Sequence, residues 1–236
     1  MEKQALRERI WTTLDAEGVN RFPYPPEGRI TNFAGASEAA GRLADTDEWQ
    51  AAETVKSNPD APQLPVRRRA LRDGKVVYMA VPRLRDEKPF LKLDPAEIDD
   101  IDGATTISGS AKHGVPVGPG EVPHIDCIVA GSVAVTESGA RVGKGEGYSD
   151  LEFAVLSELG AVDDETTVTT TVHELQVVAD DEVTSDAHDV PLDVVVTPER
   201  TVRTETTYPR PDGVDWDALG EEKLAEIPVL QRLQPN

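Results

Sequence analysis

Arg141-Val142-Gly143-Lys144-Gly145-Glu146-Gly147-Tyr148-Ser149-Asp150 alternates three glycines with two charged residues, then runs through an aromatic and a serine to an acid. Upstream, the apolar run Ile125 to Val135 predicts a buried strand, and Glu137-Ser138-Gly139 a short turn. Downstream, Leu151, Ala154, Val155 and Leu159 recur at helical spacing until Gly160 gives a stop signal. The order strand, turn, glycine loop, helix aims backbone N–H groups and the positive end of a helix at one point, which suits an anion. Glycine permits positive φ and close approach of the backbone to that anion. The pattern is neither Gly-x-x-x-x-Gly-Lys-Ser/Thr nor Gly-x-Gly-x-x-Gly. A turn serving only chain reversal is the simpler reading. Arg141, Lys144 and Asp150 around the glycines favour phosphate with a carboxylate beside it, the chemistry of a nucleotide and Mg²⁺.

Outward from this stretch, strands alternate with helices. Residues 2–17 predict a helix with Leu6, Ile10, Trp11 and Leu14 on one side, and Lys3 and Arg7 one turn apart on a shared face. The prolines of Asn20 to Gly28 predict an extended surface connection. Ala36 to Leu43 reads as a second helix, Glu53 to Lys56 as a short strand, and Pro65 opens a helix carrying Arg67-Arg68-Arg69, taken as a face bridging to neighbouring acids. Lys75 to Pro82 and Phe90 to Leu93 read as strands, and Ser108 to His124 as a long Gly/Pro-rich loop. Thr166 to Val178 and Val194 to Val196 add strands. Thr201 to Thr207 adds another, and an acidic tail from 208 to 236 is expected to hold one short helix between Trp216 and Ala225. This alternation predicts an α/β fold of three layers, α/β/α, around a mostly parallel sheet.

The chain has 236 residues, 38% of them hydrophobic and only 5% aromatic, enough for one core built mainly from Val, Leu, Ile and Ala. No stretch approaches the roughly 20 apolar residues of a membrane span, no signal-peptide pattern is expected from the opening residues, and Cys127 alone can form no intrachain disulfide. A cytoplasmic protein without membrane partners is expected. Asp and Glu number 44 against 24 Lys and Arg, a net charge of −20, with acids spread through every segment. Such a surface argues against nucleic acid as partner. It suits high salt, where the screening length falls to about 3 Å and self-repulsion fades. Four histidines without Cys or His-x-x-x-His partners make zinc a poor fit, and no Gly-x-Ser-x-Gly elbow supports a serine triad.

The sequence resembles the 5-formyltetrahydrofolate cyclo-ligase, or methenyltetrahydrofolate synthetase, family. The likeness is carried by Lys3-x-x-x-Arg7, by Arg141-x-Gly143-x-Gly145-x-Gly147-Tyr148-x-Asp150, and by His188-Asp189-x-x-x-Asp193. It implies a single domain over 1–236, related to the ribose-5-phosphate isomerase and CoA-transferase folds, and a small-molecule substrate with ATP and Mg²⁺ as cofactors. In the family the formyl oxygen of the folate attacks the γ-phosphate of ATP, and N10 then displaces phosphate to close the methenyl ring. Carried over, Lys3, Arg7 and Arg141 neutralise the triphosphate, with Arg141 and Lys144 in the catalytic part. Amides around Gly143, Gly145 and Gly147 cradle it, and Tyr148 packs beside the nucleotide. Asp150 helps to hold Mg²⁺, and Asp189 supports loop or metal.

Two departures stand out. Tyr148-Ser149-Asp150 replaces the family's Tyr-Tyr-Asp, and Ser57-Asn58-Pro59-Asp60-Ala61-Pro62-Gln63 has proline and glutamine where the resemblance places a folate-contacting glutamate. These features look like a paralogous branch associated with thiamin metabolism, which binds nucleotide or another phosphorylated metabolite. A non-catalytic binding or regulatory module is the remaining alternative. The acidic surface yields the first expectation: the melting temperature rises steeply between dilute buffer and molar KCl. Thermal denaturation across a KCl series tests it, and full stability in dilute buffer would count against the high-salt reading.

Overall fold

The computed structural model describes residues 2–235, so the two end residues of the expected 1–236 domain lie outside the described residues. Helix α1 (Lys3–Ala16) leads to the short strands β1 (Asn20–Arg21) and β2 (Asn32–Phe33), then to α2 (Ala36–Ala44) and α3 (Asp47–Ala51). Strand β3 (Thr54–Ser57), α4 (Leu64–Arg72), β4 (Val76–Ala80) and β5 (Phe90–Leu93) follow. Next come α5 (Ile101–Ala104), α6 (Ile107–His113), β6 (Val115–Val117), β7 (Cys127–Val129), β8 (Ala134–Thr136) and β9 (Arg141–Val142). The chain continues through α7 (Tyr148–Glu158), β10 (Thr167–Thr171), β11 (Val177–Val178), β12 (Val194–Val196) and β13 (Thr201–Arg203) to α8 (Glu221–Glu226) and α9 (Pro228–Leu233).

Eight strands form the central sheet in the order β13-β12-β10-β7-β3-β4-β5-β6. The inner pairs β12-β10, β10-β7, β7-β3 and β3-β4 are parallel, and the outer pairs antiparallel. Alternation along each strand divides the side chains between two layers. Val77, Met79, Cys127, Val129, Val194 and Val196 meet Ala40 and Leu43 of α2 and Val66, Ala70 and Leu71 of α4. Tyr78, Ala80, Ile128, Val168 and Val195 face the opposite way, against Leu151, Phe153, Val155 and Leu156 of α7 and Val229 and Leu230 of α9. The three layers expected from the alternation are therefore present. Among the described residues no helix is long and apolar enough to cross a membrane.

The run Ile125 to Val135, expected as one strand, is two. It leaves the central sheet after Val129 and re-enters as β8 in a separate sheet, β11-β8-β9. The break sits at Gly131, where an added Cβ would come within 3.0 Å of both the Asp60 carboxylate and Ile30, while the Ser132 hydroxyl bonds Thr170 (2.9 Å). The glycine loop thus follows the small sheet rather than the central one. This matters for the site, because α1 packs on the small sheet through Leu6, Ile10, Trp11 and Leu14 against Val133, Ala134, Ala140 and Val142.

Three other expectations are corrected. The segment 108–124 is not an open loop. Thr106 caps α6 by accepting from the Gly109 N–H (3.0 Å), and β6 pairs with β5 as an edge strand, where Pro116 lacks no needed donor. Its Lys112 and His113 are exposed. Trp216 to Gly220 is a turn, and the helices beyond it anchor Ile227, Val229 and Leu230 in the core against α7. The strand expected to run to Thr207 stops at Arg203.

In the arginine triplet, Arg68 and Arg69 pair with Asp102 and Asp73 at 2.9 and 2.8 Å, as the spacing suggested. Arg67 does not. Only 1% exposed, it donates to the carbonyls of Asn58 (2.6 Å), Asp60 (3.1 Å) and Thr105 (3.1 Å). Burial pushes its pKa down to about 10, which leaves it a cation at neutral pH. It braces the 58–60 loop from beneath. Arg67→Ala strands three carbonyls, and with about 1–3 kcal/mol lost for each buried group left unpaired, we expect a drop in stability of several kcal/mol in urea denaturation. Arg72→Ala, at an exposed position of the same helix, serves as the control with little effect.

Candidate functional site

The hairpin β8-β9 and helix α7 are joined by the glycine loop, and its two ends are held together. Arg141 at the end of β9 donates from one terminal nitrogen to the Gly131 carbonyl (2.8 Å) and from the other to the Asp150 carboxylate in the first turn of α7. Asp150 also accepts the Val190 N–H at 3.1 Å, which draws the 186–190 turn against the same point. Burial alone would raise the Asp150 pKa, but Arg141 outweighs it and keeps the carboxylate ionised below its usual range. Among the described residues, the buried Arg141 Nε has no partner.

Between these ends the backbone turns outward. Gly145 and Gly147 have φ of +104° and +70°, the left-handed region that side chains rarely adopt. Gly147 caps α7, whose first N–H groups have no intrahelical acceptor. Among the described residues, the N–H groups of Gly143, Gly145 and Gly147 donate to no other group of the chain. The cradle expected from the alternating glycines therefore has its donors free.

Helix α1 delivers two cations to this loop. Arg7 Nε donates to the Gly143 carbonyl at 2.7 Å, and its guanidinium lies 3.3 Å from where a Cβ on Gly145 would sit. Lys3 Nζ lies 2.7 Å from Asp186 and 2.5 Å from Asp189. Burial works against the Lys3 ammonium, but those two carboxylates more than compensate and raise its pKa. Lys144 pairs with Glu146 at 2.8 Å and stands at the rim. Lys3, Arg7, Arg141, Asp150 and Asp189, distant in sequence, thus gather around one loop, with Lys144 and Tyr148 at its edge.

The donor set fits a magnesium nucleotide. One oxygen each of Asp186 and Asp189 and a ring nitrogen of His188 lie within 4.8 Å of one another, and hard carboxylate oxygens suit Mg²⁺. Asp150, expected at the metal, also has a structural task. Its Oδ1 already serves Arg141 and Val190, so its main effect is to fix the guanidinium.

Sequence reasoning missed the opposite wall. The loop faces a cleft of about 290 Å³ whose far side is Asn58, Pro59, Asp60 and Glu152. Lys56 on β3 and Glu152 on α7 form a buried ion pair, with Asn58 donating to Glu152 at 3.4 Å. Asp60 has its pKa raised, chiefly by burial and further by Glu152, while Lys144 opposes the shift. Gln63 turns away from the cleft and donates to the Val129 carbonyl at 3.3 Å. The signal available beforehand was a lysine in the middle of a short strand and a glutamate on the apolar side of a helix; such charges are buried only with partners. Cys127 is excluded as a nucleophile, since burial pushes its thiol up to about 12.

The family model described as the 5-formyltetrahydrofolate cyclo-ligase family matches residues 1–198. The methenyltetrahydrofolate synthase domain-containing protein of Mus musculus is 41% identical over 237 residues, covering 99% of this chain and 63% of its own length. Its Bos taurus counterpart is 39% identical, with coverages of 99% and 62%. The chain thus spans less than two thirds of the length of the curated relatives it matches. Among solved structures, the NMR structure of Aquifex aeolicus 5,10-methenyltetrahydrofolate synthetase superposes with a TM-score of 0.54 at 20% identity, covering 87% of this chain and 94% of that one. That is a likeness of fold.

The loop geometry yields an expectation that needs no assay of activity. Gly145→Val forces a branched side chain into φ +104° and against the Arg7 guanidinium. Affinity for ATP, measured by titration calorimetry in molar KCl, should fall at least tenfold while the melting temperature changes little. Unchanged affinity would remove the cradle.

Proposed function

The chain belongs to the 5-formyltetrahydrofolate cyclo-ligase family, and from that premise we propose that it is an ATP- and Mg²⁺-dependent ligase closing 5-formyltetrahydrofolate to 5,10-methenyltetrahydrofolate. One observation carries the proposal: among the described residues three glycine N–H groups have no partner in the loop that Arg7 and Arg141 hold, with Lys3 on the same helix as Arg7. ATP supplies the phosphoryl group that activates the formyl oxygen, and Mg²⁺ offsets its charge. The chain's own residues position and neutralise. The loop amides receive phosphate oxygens, Arg7 and Arg141 offset their charge from fixed positions, and Lys144 reaches in from the rim. Asp186 and Asp189 would hold the metal, and Lys3, which pairs with both, would offset phosphate charge beside them. Such groups, oriented before the reactants arrive, lose little reorganisation energy at the moment of transfer.

The folate belongs in the cleft opposite the loop, where Asp60 offers a carboxylate to N–H donors of the ring system. A second reading is favoured by a specific feature of that wall. Gln63 faces into the protein, and Asp60 is one carbon shorter than glutamate, so the cleft also suits a different heterocycle, in a paralogue acting on another metabolite.

Incubation with 5-formyltetrahydrofolate, ATP and Mg²⁺ in molar KCl should produce the near-ultraviolet absorbance of the methenyl product. Arg7→Ala should reduce the rate at least a hundredfold. ATP binding by the wild type without methenyl formation would transfer support to the second reading.

A further inference from the structure

A second cavity lies along α7. About 520 Å³ in volume, it is a groove between that helix and the segment 211–223, with Ala187 and His188 beside it, and it shares Gly147 and Asp150 with the cleft already described. Residues 211–223 lie beyond the 1–198 span of the family match, so this wall belongs to a part of the chain that the family pattern does not cover.

The wall is built rather than draped. Ser157 donates to the Asp212 carbonyl at 3.1 Å, and the Val214 N–H donates to Glu158 at 3.2 Å. A Cβ on Gly213 would come 2.6 Å from a Glu158 oxygen, so any larger residue there would displace the Glu158 carboxylate. Downstream, Ile227, Val229 and Leu230 are buried in the core.

The cavity is graded from end to end. Lys223 marks the end at the glycine loop. Its Nζ donates to the Glu146 carbonyl at 3.3 Å, sits 5.4 Å from the Tyr148 ring centroid, and lies 3.4 Å from where a Cβ on Gly147 would be. The middle is apolar, formed by Leu151, Ala154, Val214 and Leu219. At the far end Glu158, with Asp212 nearby, offers acceptors roughly 12 Å further along the helix than Asp150, at 1.5 Å per residue.

We propose that this cavity holds the base and sugar of the nucleotide whose phosphates lie on the glycine loop, and that Lys223 is a phosphate-contacting residue. The ligand class is a phosphate ester of an amino-bearing heterocycle. The flat ring lies on the apolar floor, its N–H groups meet the acidic end, and the ammonium of Lys223 meets the phosphates. The two reactants then face each other across Gly147 and Asp150, with the cleft left to the phosphoryl acceptor. This rests on the phosphate-binding reading of the loop.

Titration calorimetry in molar KCl with Mg²⁺, using ATP and inorganic tripolyphosphate as separate probes, tests it. Ala218 is exposed at the cavity wall, so Ala218→Trp fills the space at little cost to folding, checked by an unchanged melting temperature. We expect at least tenfold weaker ATP binding in Ala218→Trp with tripolyphosphate binding unchanged. Lys223→Met should weaken both several-fold, and Lys223→Arg should restore both. Wild-type protein that binds the two probes equally, or Ala218→Trp that leaves ATP binding intact or weakens both alike, overturns the cavity assignment alone. Lys223→Met with unaltered affinities overturns the role of Lys223. Wild-type protein that binds neither probe overturns the loop reading and this proposal with it.

Discussion

A guanidinium and a carboxylate nine residues apart, both sheltered from water, close the ends of the glycine loop. Arg141 presents several donors in a fixed fork, so one residue can join three segments. It holds the Gly131 carbonyl, at the break between the two sheets, and Asp150, at the head of α7. Asp150 in turn holds the turn that carries Asp189. Small sheet, central sheet, helix α7 and the 186–190 turn are therefore fixed relative to one another through a single ion pair. Because both partners are buried, loss of either leaves an uncompensated charge, a far larger penalty than the pair's net contribution to stability.

The same logic recurs across the cleft. Lys56 stands in the middle of a parallel strand, where an apolar residue of similar size would be as stabilising or more so. Its pairing with Glu152, and the link from Asn58 to the same carboxylate, join β3 to α7 directly beneath the cleft. Arg67 holds the adjoining loop from the other side through three carbonyls. The glycine loop and the 58–60 loop are thus both supported by buried cations, and the distance between the two walls is set by groups that cannot relax without exposing charge. A phosphoryl transfer site, which works chiefly by positioning, gains from walls of that kind.

The outline of the fold was legible because its signals are local. Leu6, Ile10 and Leu14 fall at helical spacing, Val194-Val195-Val196 can only be a buried strand, and the glycine alternation points to its own conformation. What was not legible depends on partners far along the chain. The division of Ile125 to Val135 into two strands is imposed by Asp60 and Ile30 packing on Gly131, which no window around position 131 contains. The inward turn of Arg67, alone of its triplet, is imposed by carbonyls at 58, 60 and 105. The edge strand at Val115 needed β5 beside it before a Gly/Pro-rich segment could read as sheet. At the site, Lys3 and Arg7 carried a helical spacing that is equally common on solvated faces; only the packing of α1 on the small sheet gives it meaning. Lys223 carried no motif at all.

A net charge of −20 also constrains how such a protein can take an anionic ligand. In dilute solution its field would repel a nucleotide over tens of ångströms, and a few surface lysines would not reverse that. In molar salt the repulsion is screened within about 3 Å, but so is any attraction exerted by exposed cations. What survives is contact: hydrogen bonds from backbone N–H groups, whose partial charges need no counterion, and from guanidinium groups held in place by burial or packing. The site follows that selection. Its donors are glycine amides, a fully sheltered Arg141 and an Arg7 anchored to the Gly143 carbonyl, whereas the more accessible Lys144 is occupied by its neighbour Glu146. Under the proposed nucleotide-binding reading, an acidic surface and a backbone-dominated loop answer the same constraint, since each remains effective where long-range electrostatics does not.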